Sequence, residues 1–243
     1  MDEWKAASRF GEKVAAIYDE GLEPAEGLDA VEFLAKLAKG GRALELGIGT
    51  GRIALPLASR GLDVEGIDFS PEMVAKLRSK PGGERISVTI GDFADVPVSG
   101  TYGLIFVVFN TLFNLVTQDE QVRCLENVAA HLDADGSFVV EALVPDPKWF
   151  RDNGSVDPEH VGVDEVVFDV YQIDPVTQIM TENHVHLSED GVRFYPIITR
   201  YIWPSELDLM ARIAGLRLKE RWGGWQGEPF NGSSTKHVSV YGR

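Results

Sequence analysis

The segment Glu45-Leu46-Gly47-Ile48-Gly49-Thr50-Gly51 constrains the fold of this chain more than any other. It follows a short apolar run at 42–46 and leads into 51–60, which reads as a helix closed by Gly61 despite Pro56. Three glycines at alternate positions let the backbone turn sharply and let a ligand lie against it with no side chain between. The dinucleotide loop that grips a pyrophosphate reads G-x-G-x-x-G. Here the third glycine comes one residue early, and an acid stands two residues before the first.

The surrounding periodicity extends this unit into a sheet. Further strands are expected at 63–67, 86–90, 104–109 and 137–143, with helices between them. Ser70-Pro71 opens one helix as N-cap and first-turn proline, and Thr117-Gln118-Asp119-Glu120 is a capping box for another that runs to Leu132. Alternation of this kind over 41–143 predicts a parallel sheet covered on both sides. Amphipathic helices are expected at 5–19 and 28–38. After Pro145 the segments 165–172, 177–187 and 192–203 read as an antiparallel meander, preceded by a polar loop at 152–164 long enough to act as a lid. A helix at 205–214 and strands at 216–222 and 236–242 close the chain.

The expected fold class is therefore α/β: a doubly wound, mostly parallel seven-stranded sheet that ends in an antiparallel hairpin, with a β-meander inserted after the fifth strand. It is read as one domain over 1–243, made of a helical cap (1–40), a cofactor-binding core (41–143), a substrate-side insertion (146–203) and a C-terminal helix and hairpin (204–243).

Charge narrows the partners. Lys and Arg number 23 against 38 Asp and Glu, a net charge of −15, which disfavours nucleic acid and anionic membrane surfaces. The lone Cys124 forms no intrachain disulfide and no cysteine metal cluster. No apolar run approaches the ~20 residues of a membrane helix, and Met1–Lys5 lacks the pattern of a secretion signal, so a cytoplasmic protein is expected.

Carboxylates follow the other strands. Asp68 ends the second, where an acid can take both hydroxyls of a ribose. Gly91-Asp92-Phe93 follows the third, and an acid beside an aromatic ring suits an adenine. Phe109-Asn110-Thr111 follows the fourth. All lie at carboxyl ends of strands, where open α/β sheets bind ligands.

Taken together, these motifs resemble those of the class I methyltransferases that use S-adenosylmethionine, above all the small-molecule branch acting on natural products and amino-sugars. The resemblance is strongest over 41–143. It implies that Glu45, Gly47, Gly49 and Gly51 surround the methionine part, Asp68 holds the ribose, Asp92 and Phe93 hold the adenine, and Asn110 lies beneath the sulfonium. Ile48, Arg52, Phe69, Met73 and Phe109 complete the expected cofactor set, and Tyr18 of Tyr18-Asp19 closes over it. Gly103 departs from the family, which usually has Asp there, at the end of the strand far from the site.

The reaction so implied moves a methyl group to an amine or hydroxyl of a small metabolite and leaves S-adenosylhomocysteine. Displacement at a sulfonium needs alignment and a dry pocket more than acid catalysis. Candidates for a base are His186, His160 and Glu141; candidates for acceptor binding are Asn114, Asp146, Trp149, Arg200 and Tyr201. His184 and His186 share a strand face, but no third and fourth metal ligand is apparent, and no metal is expected. The Asn/Asp-Pro-Pro-aromatic run of base-methylating enzymes is missing after the fourth strand. A nicotinamide dehydrogenase shares the glycine loop and Asp68 but leaves Glu45, Asp92-Phe93 and the terminal hairpin unexplained. A non-catalytic module that binds the cofactor is the third reading. Exposed edges of the meander point to a homodimer.

Overall fold

The structure is a computed structural model that describes residues 14, 15, 18, 19, 24–150 and 154–243. Most of the helix expected at 5–19 lies outside them. Strands β1 (Arg42–Leu46), β2 (Asp63–Asp68), β3 (Ser87–Ile90), β4 (Tyr102–Val107), β5 (Leu132–Leu143), β10 (Arg217–Trp222) and β11 (Lys236–Gly242) form one sheet in the order β10-β11-β5-β4-β1-β2-β3. Pairings within β5-β4-β1-β2-β3 are parallel, while β11 runs antiparallel to both β5 and β10. Strand order reverses beside β1 and β4, which opens a crevice at their carboxyl ends.

Helices α1 (Pro24–Ala38), α2 (Ala54–Ser59), α3 (Pro71–Ser79), α4 (Gln118–His131) and α5 (Pro204–Ile213) cover the sheet. Two apolar cores result, one on each face: Leu34, Ile53, Leu57 and Phe106 on one side, and Ile105, Leu125, Phe138 and Tyr241 on the other. Caps start the helices where expected. Ser70 accepts from the Met73 amide, and Thr117 and Glu120 form a reciprocal capping box. No described helix is long and apolar enough to cross a membrane.

The second sheet holds four strands rather than three, in the order β6 (Gly154–Val161), β7 (Glu165–Asp174), β8 (Ile179–Ser188) and β9 (Gly191–Arg200), all antiparallel. The expected lid at 152–164 is thus corrected: its described part is mostly strand β6. The segment reads as a loop because it is polar and carries Pro158. Proline is tolerated on an edge strand at a bulge, and here the register shifts between Pro158 and His160.

Strand β4 stops at Val107, two residues before the expected end, because Phe109 and Asn110 both take left-handed backbone (φ 54° and 60°). Strand β5 reaches back to Leu132, which pairs with Tyr102. Helix α1 begins four residues earlier than its periodicity suggests, at Pro24, a residue whose fixed φ suits a first turn.

Candidate active site

A cavity of about 510 Å³ opens over the carboxyl ends of the parallel strands. Its floor is the β1–α2 turn. Gly47 and Gly49 have positive φ (71° and 53°), which only glycine adopts without strain. A Cβ on Gly47 would stand 2.4 Å from Thr111 Cγ2, and one on Gly49 would stand 3.3 Å from Met73 Cε. Both turns therefore have to be bare on the side that faces the cavity. The third glycine serves packing: a Cβ on Gly51 would press on Leu55 and Leu77 at 3.0–3.1 Å.

Asp68 stands at the rim. Its Oδ2 accepts from the Gly49 amide at 2.7 Å and its Oδ1 from the Ser70 amide at 2.9 Å, so both oxygens are oriented and each retains a lone pair. Burial raises its carboxyl above the usual range, and the amides of Ser70 and Gly49 oppose that shift. Glu45 is buried behind the turn, and its Oε2 has no partner among the described residues. Burial holds its carboxyl well above the ordinary value, with the Ala54 amide opposing and Asp68 adding to the rise. A buried acceptor without a donor, next to a bare turn, fits a ligand that carries an ammonium group.

The structure brings Tyr18, Phe69, Met73, Asp92, Phe93 and Asn114 to the same cavity as Gly47, Gly49 and Asp68. Burial raises the Tyr18 phenol; the charge of Arg52 opposes the shift, and Glu45, Asp68 and Asp19 add to it. Asp92 also accepts from the Ala94 amide at 2.8 Å, which fixes the loop after β3.

Six predicted cofactor residues do not line the cavity. Glu45 and Gly51 lie behind the turn, as described. The Ile48 side chain is turned into the core, where it fills the space above Gly66; a Cβ there would come within 2.4 Å of it. The Arg52 guanidinium lies 4.0 Å over the Phe109 ring. Phe109 and Asn110 form the strained turn that ends β4, and two side chains brace it. Glu141 accepts from the Phe109 amide, and Asn110 Oδ1 accepts from the Leu143 amide at 2.7 Å. Glu141, a predicted base, is thus a buried brace for that turn.

Of the predicted acceptor residues, only Asn114 lines the cavity. Asp146 caps the short turn Pro147–Phe150 through the Lys148 amide. Trp149 packs edge-on against Tyr171 and Tyr201. Arg200 is buried in an ion pair with Glu206 at 2.7 Å and donates to Gln121 and Gln178, so its guanidinium is committed to the join between the sheets.

His160 lies on β6 and is exposed, and His186 stands beside His184 with ring centroids 4.9 Å apart. Neither lines the cavity. Of the two histidines, only His184 meets carboxylates among the described residues. His184 Nδ1 sits 2.7 Å from Asp169 and 3.2 Å from Glu159, an imidazole clasped between two carboxylates from neighbouring strands. The hydrogen bond to Asp169 raises its pKa, and Glu159 and Glu182 add to the rise.

Ile197 and Ile198 of β9 complete the cavity, together with Thr111, Leu115, Val116 and Glu120. The isoleucines escape sequence reasoning because an apolar pair on a strand reads as core.

Comparison with known proteins decides the family. Residues 43–136 match the profile of a methyltransferase domain. The CcbJ methyltransferase from Streptomyces caelestis superposes with a TM-score of 0.90 at 37% identity, over 96% of this chain and 97% of that one. The chain belongs to the S-adenosylmethionine-dependent methyltransferases. The cypemycin N-terminal methyltransferase of a Streptomyces species is 28% identical over 228 residues, 91% of each chain. A dTDP-3-amino-3,6-dideoxy-alpha-D-glucopyranose N,N-dimethyltransferase of Streptomyces fradiae is 28% identical over 152 residues, 59% of this chain and 56% of that one. A methyltransferase needs no pyrophosphate grip, which accounts for the shortened glycine spacing, and the dehydrogenase reading falls away.

Proposed function

We propose that this methyltransferase transfers the methyl group of S-adenosylmethionine to the amino group of a small metabolite in natural-product biosynthesis. The observation that carries the reading is the shared cavity: the loops after β1–β4 form one wall, and β9 of the second sheet contributes Ile197 and Ile198 to another. The N-methylating relatives favour nitrogen over oxygen, and the dimethyltransferase named above acts on an amino-sugar nucleotide.

In this reading Gly47 and Gly49 hold the methionine part, with Glu45 behind them to receive its ammonium. Asp68 takes the ribose hydroxyls, Asp92 and Phe93 the adenine, and Phe69 and Met73 flank them. The cofactor supplies an electrophilic methyl on a positively charged sulfur. Tyr18 closes over it and excludes water, and Asn114, Ile197 and Ile198 shape the side from which the acceptor arrives. Alignment and desolvation supply the rate, as expected for an in-line displacement with no proton to move at the leaving group. Titration calorimetry tests the cofactor half: S-adenosylhomocysteine binds and NAD does not. Labelled-methyl transfer into amines and phenols tests the acceptor half; transfer into phenols alone overturns the choice of nitrogen.

We further propose a homodimer through the outer face of the second sheet. Strand register places Val156, Val170, Leu187, Val192 and Phe194 on one face, all exposed, with Phe194 63% accessible. An apolar sheet face of this extent is supported by a second copy rather than by water. Sedimentation that gives a monomer at all concentrations excludes it. A cytoplasmic site accords with the single buried thiol, Cys124.

A further inference from the structure

The opposite face of the second sheet is polar, and register orders it into rows. Next to the core-facing row Ile173, Met180, Thr199, a row of Ser155, Tyr171, Glu182, Ile197 crosses all four strands. The next runs Asp157, Asp169, His184, Tyr195, and the one after that runs His160, Val167, His186, Arg193. Side chains paired in this way stand about 5 Å apart on one face. Glu182 therefore lies between Ile197, which lines the cavity, and Tyr171, which packs on Trp149 and feels the charge of Asp146 at the end of β5. Glu182 does not itself line the cavity; its link to it is the cross-strand pairing with Ile197, which does. Its carboxyl is partly buried and makes no hydrogen bond among the described residues, whereas Asp169 and Glu159 are both engaged with His184.

We propose that Glu182 is the residue that receives the acceptor's amino group, beside the His184–Asp169 pair of the next row. This rests on the methyltransferase reading above and assigns it an acceptor-side carboxylate. The amine arrives as an ammonium and pairs with Glu182. Its proton passes to the carboxylate, which becomes a neutral acid, and the freed nitrogen lone pair forms the new N–C bond. The S–C bond breaks with its electron pair left on sulfur, and the product nitrogen carries the positive charge brought in with the methyl. Glu182 then returns its proton to solvent.

A carboxyl with a pKa near 7 suits this exchange, since it takes a proton at neutral pH and gives it back. Burial raises it to about 7, Asp169, Glu159 and Asp157 add to the rise, and His184 opposes it. The other charged or titratable groups on this face are Glu165 and Tyr171 on β7, His186 on β8, Arg193 and Tyr195 on β9, and His160 on β6.

The test uses the full chain and Glu182→Gln, with Glu182→Asp as the charge-retaining control. The acceptors are a thymidine-diphosphate amino-sugar, a peptide with a free N-terminus and an aliphatic secondary amine, each paired with its hydroxyl counterpart. Wild type is expected to methylate at least one amine and not its hydroxyl partner. Glu182→Gln should raise KM for that amine about tenfold or more and abolish the acidic limb of kcat/KM near pH 7, while Glu182→Asp recovers most of the loss. Carbon-13 labelling of the glutamates, with Glu182→Gln to assign the signal, should show a carboxyl that titrates near neutrality and moves when the amine is added with S-adenosylhomocysteine. Unchanged KM and pH profile in Glu182→Gln overturn the proposal. So does silence toward every amine by a protein that still binds S-adenosylhomocysteine. Failure of wild type to bind S-adenosylhomocysteine overturns the cofactor reading itself, and this assignment with it.

Discussion

The Thr50 hydroxyl donates to Asp19 Oδ1 at 2.7 Å, and this bond ties the N-terminal segment to the glycine turn. Lys80 completes the latch: its Nζ lies 2.9 Å from Asp19 Oδ2 and donates to the Thr50 carbonyl at 2.8 Å. Burial alone would raise the Asp19 carboxyl, but the bonds from Lys80 and Thr50 outweigh it and hold the carboxyl below its usual value. Tyr18, next to Asp19 in the chain, lines the same cavity as Gly47 and Gly49. Asp19→Asn keeps the shape and removes the charge. Both partners are partly exposed, so the loss should be about 1 kcal/mol in affinity for S-adenosylhomocysteine, roughly fivefold by calorimetry. An unchanged Kd would separate Tyr18 from cofactor binding.

Gly47→Ala puts a methyl into Thr111 and a side chain on left-handed backbone. The backbone term alone costs about 1–2 kcal/mol. The melting temperature should fall and S-adenosylhomocysteine binding should be lost, because the turn can relieve the clash only by moving into the cavity. Thr111→Ser combined with it should restore part of the stability.

Asp68→Ala removes the acceptor for two buried amides as well as the group assigned to the ribose. Cofactor affinity should weaken by about 1–3 kcal/mol. Asp68→Asn separates the two roles: it keeps one carbonyl acceptor for the turn, so stability should recover more than affinity does.

Arg200→Ala should act on stability and not on acceptor recognition. It breaks a buried pair and leaves Glu206 without its guanidinium, a change that costs about 3–5 kcal/mol when both partners are buried. A melting temperature equal to wild type, with KM for the acceptor raised, would return Arg200 to the binding role its sequence position suggested.

Glu182 also sets a pH dependence of stability. Its folded pKa, about 7, lies above the ordinary 4.5, so between those values the folded chain keeps a proton that the unfolded chain releases. Stability from this group is full below pH 4.5 and is lost as pH rises toward 7. Glu182→Gln should therefore melt higher than wild type at pH 7.5 and nearly with it at pH 4.5. His184, raised in the fold by Asp169, is favoured as the cation, and its contribution is present below pH 6.5 and lost above its folded value. Its replacement by Asn should cost most at low pH. Melting curves for both variants across pH 4.5–9 read the two effects separately.

What was legible in advance was local. The glycine turn, the Ser70 and Thr117 caps, and the acids that follow β2 and β3 announce themselves because each depends on residues within a few positions. Most of the cofactor side of the cavity falls in that class. By itself the sequence determined an α/β sheet, a bare turn after its first strand and carboxylates at the strand ends, since these follow from period, caps and backbone freedom.

Tertiary structure alone decided which of the residues after Pro145 face the cavity. A strand's side chains alternate, so one step in register exchanges its two faces. Strand β6 takes its ladder from β7, which no local pattern in 154–161 announces. Glu182 meets Ile197 only through pairing across the β8–β9 turn, and His184 gains its carboxylates from β6 and β7. Arg200 and Glu141 reverse the argument: alone each reads as a charge free for chemistry, and the fold buries both as struts. Desolvation makes the difference, because a charge taken from water must be spent on the partners that surround it.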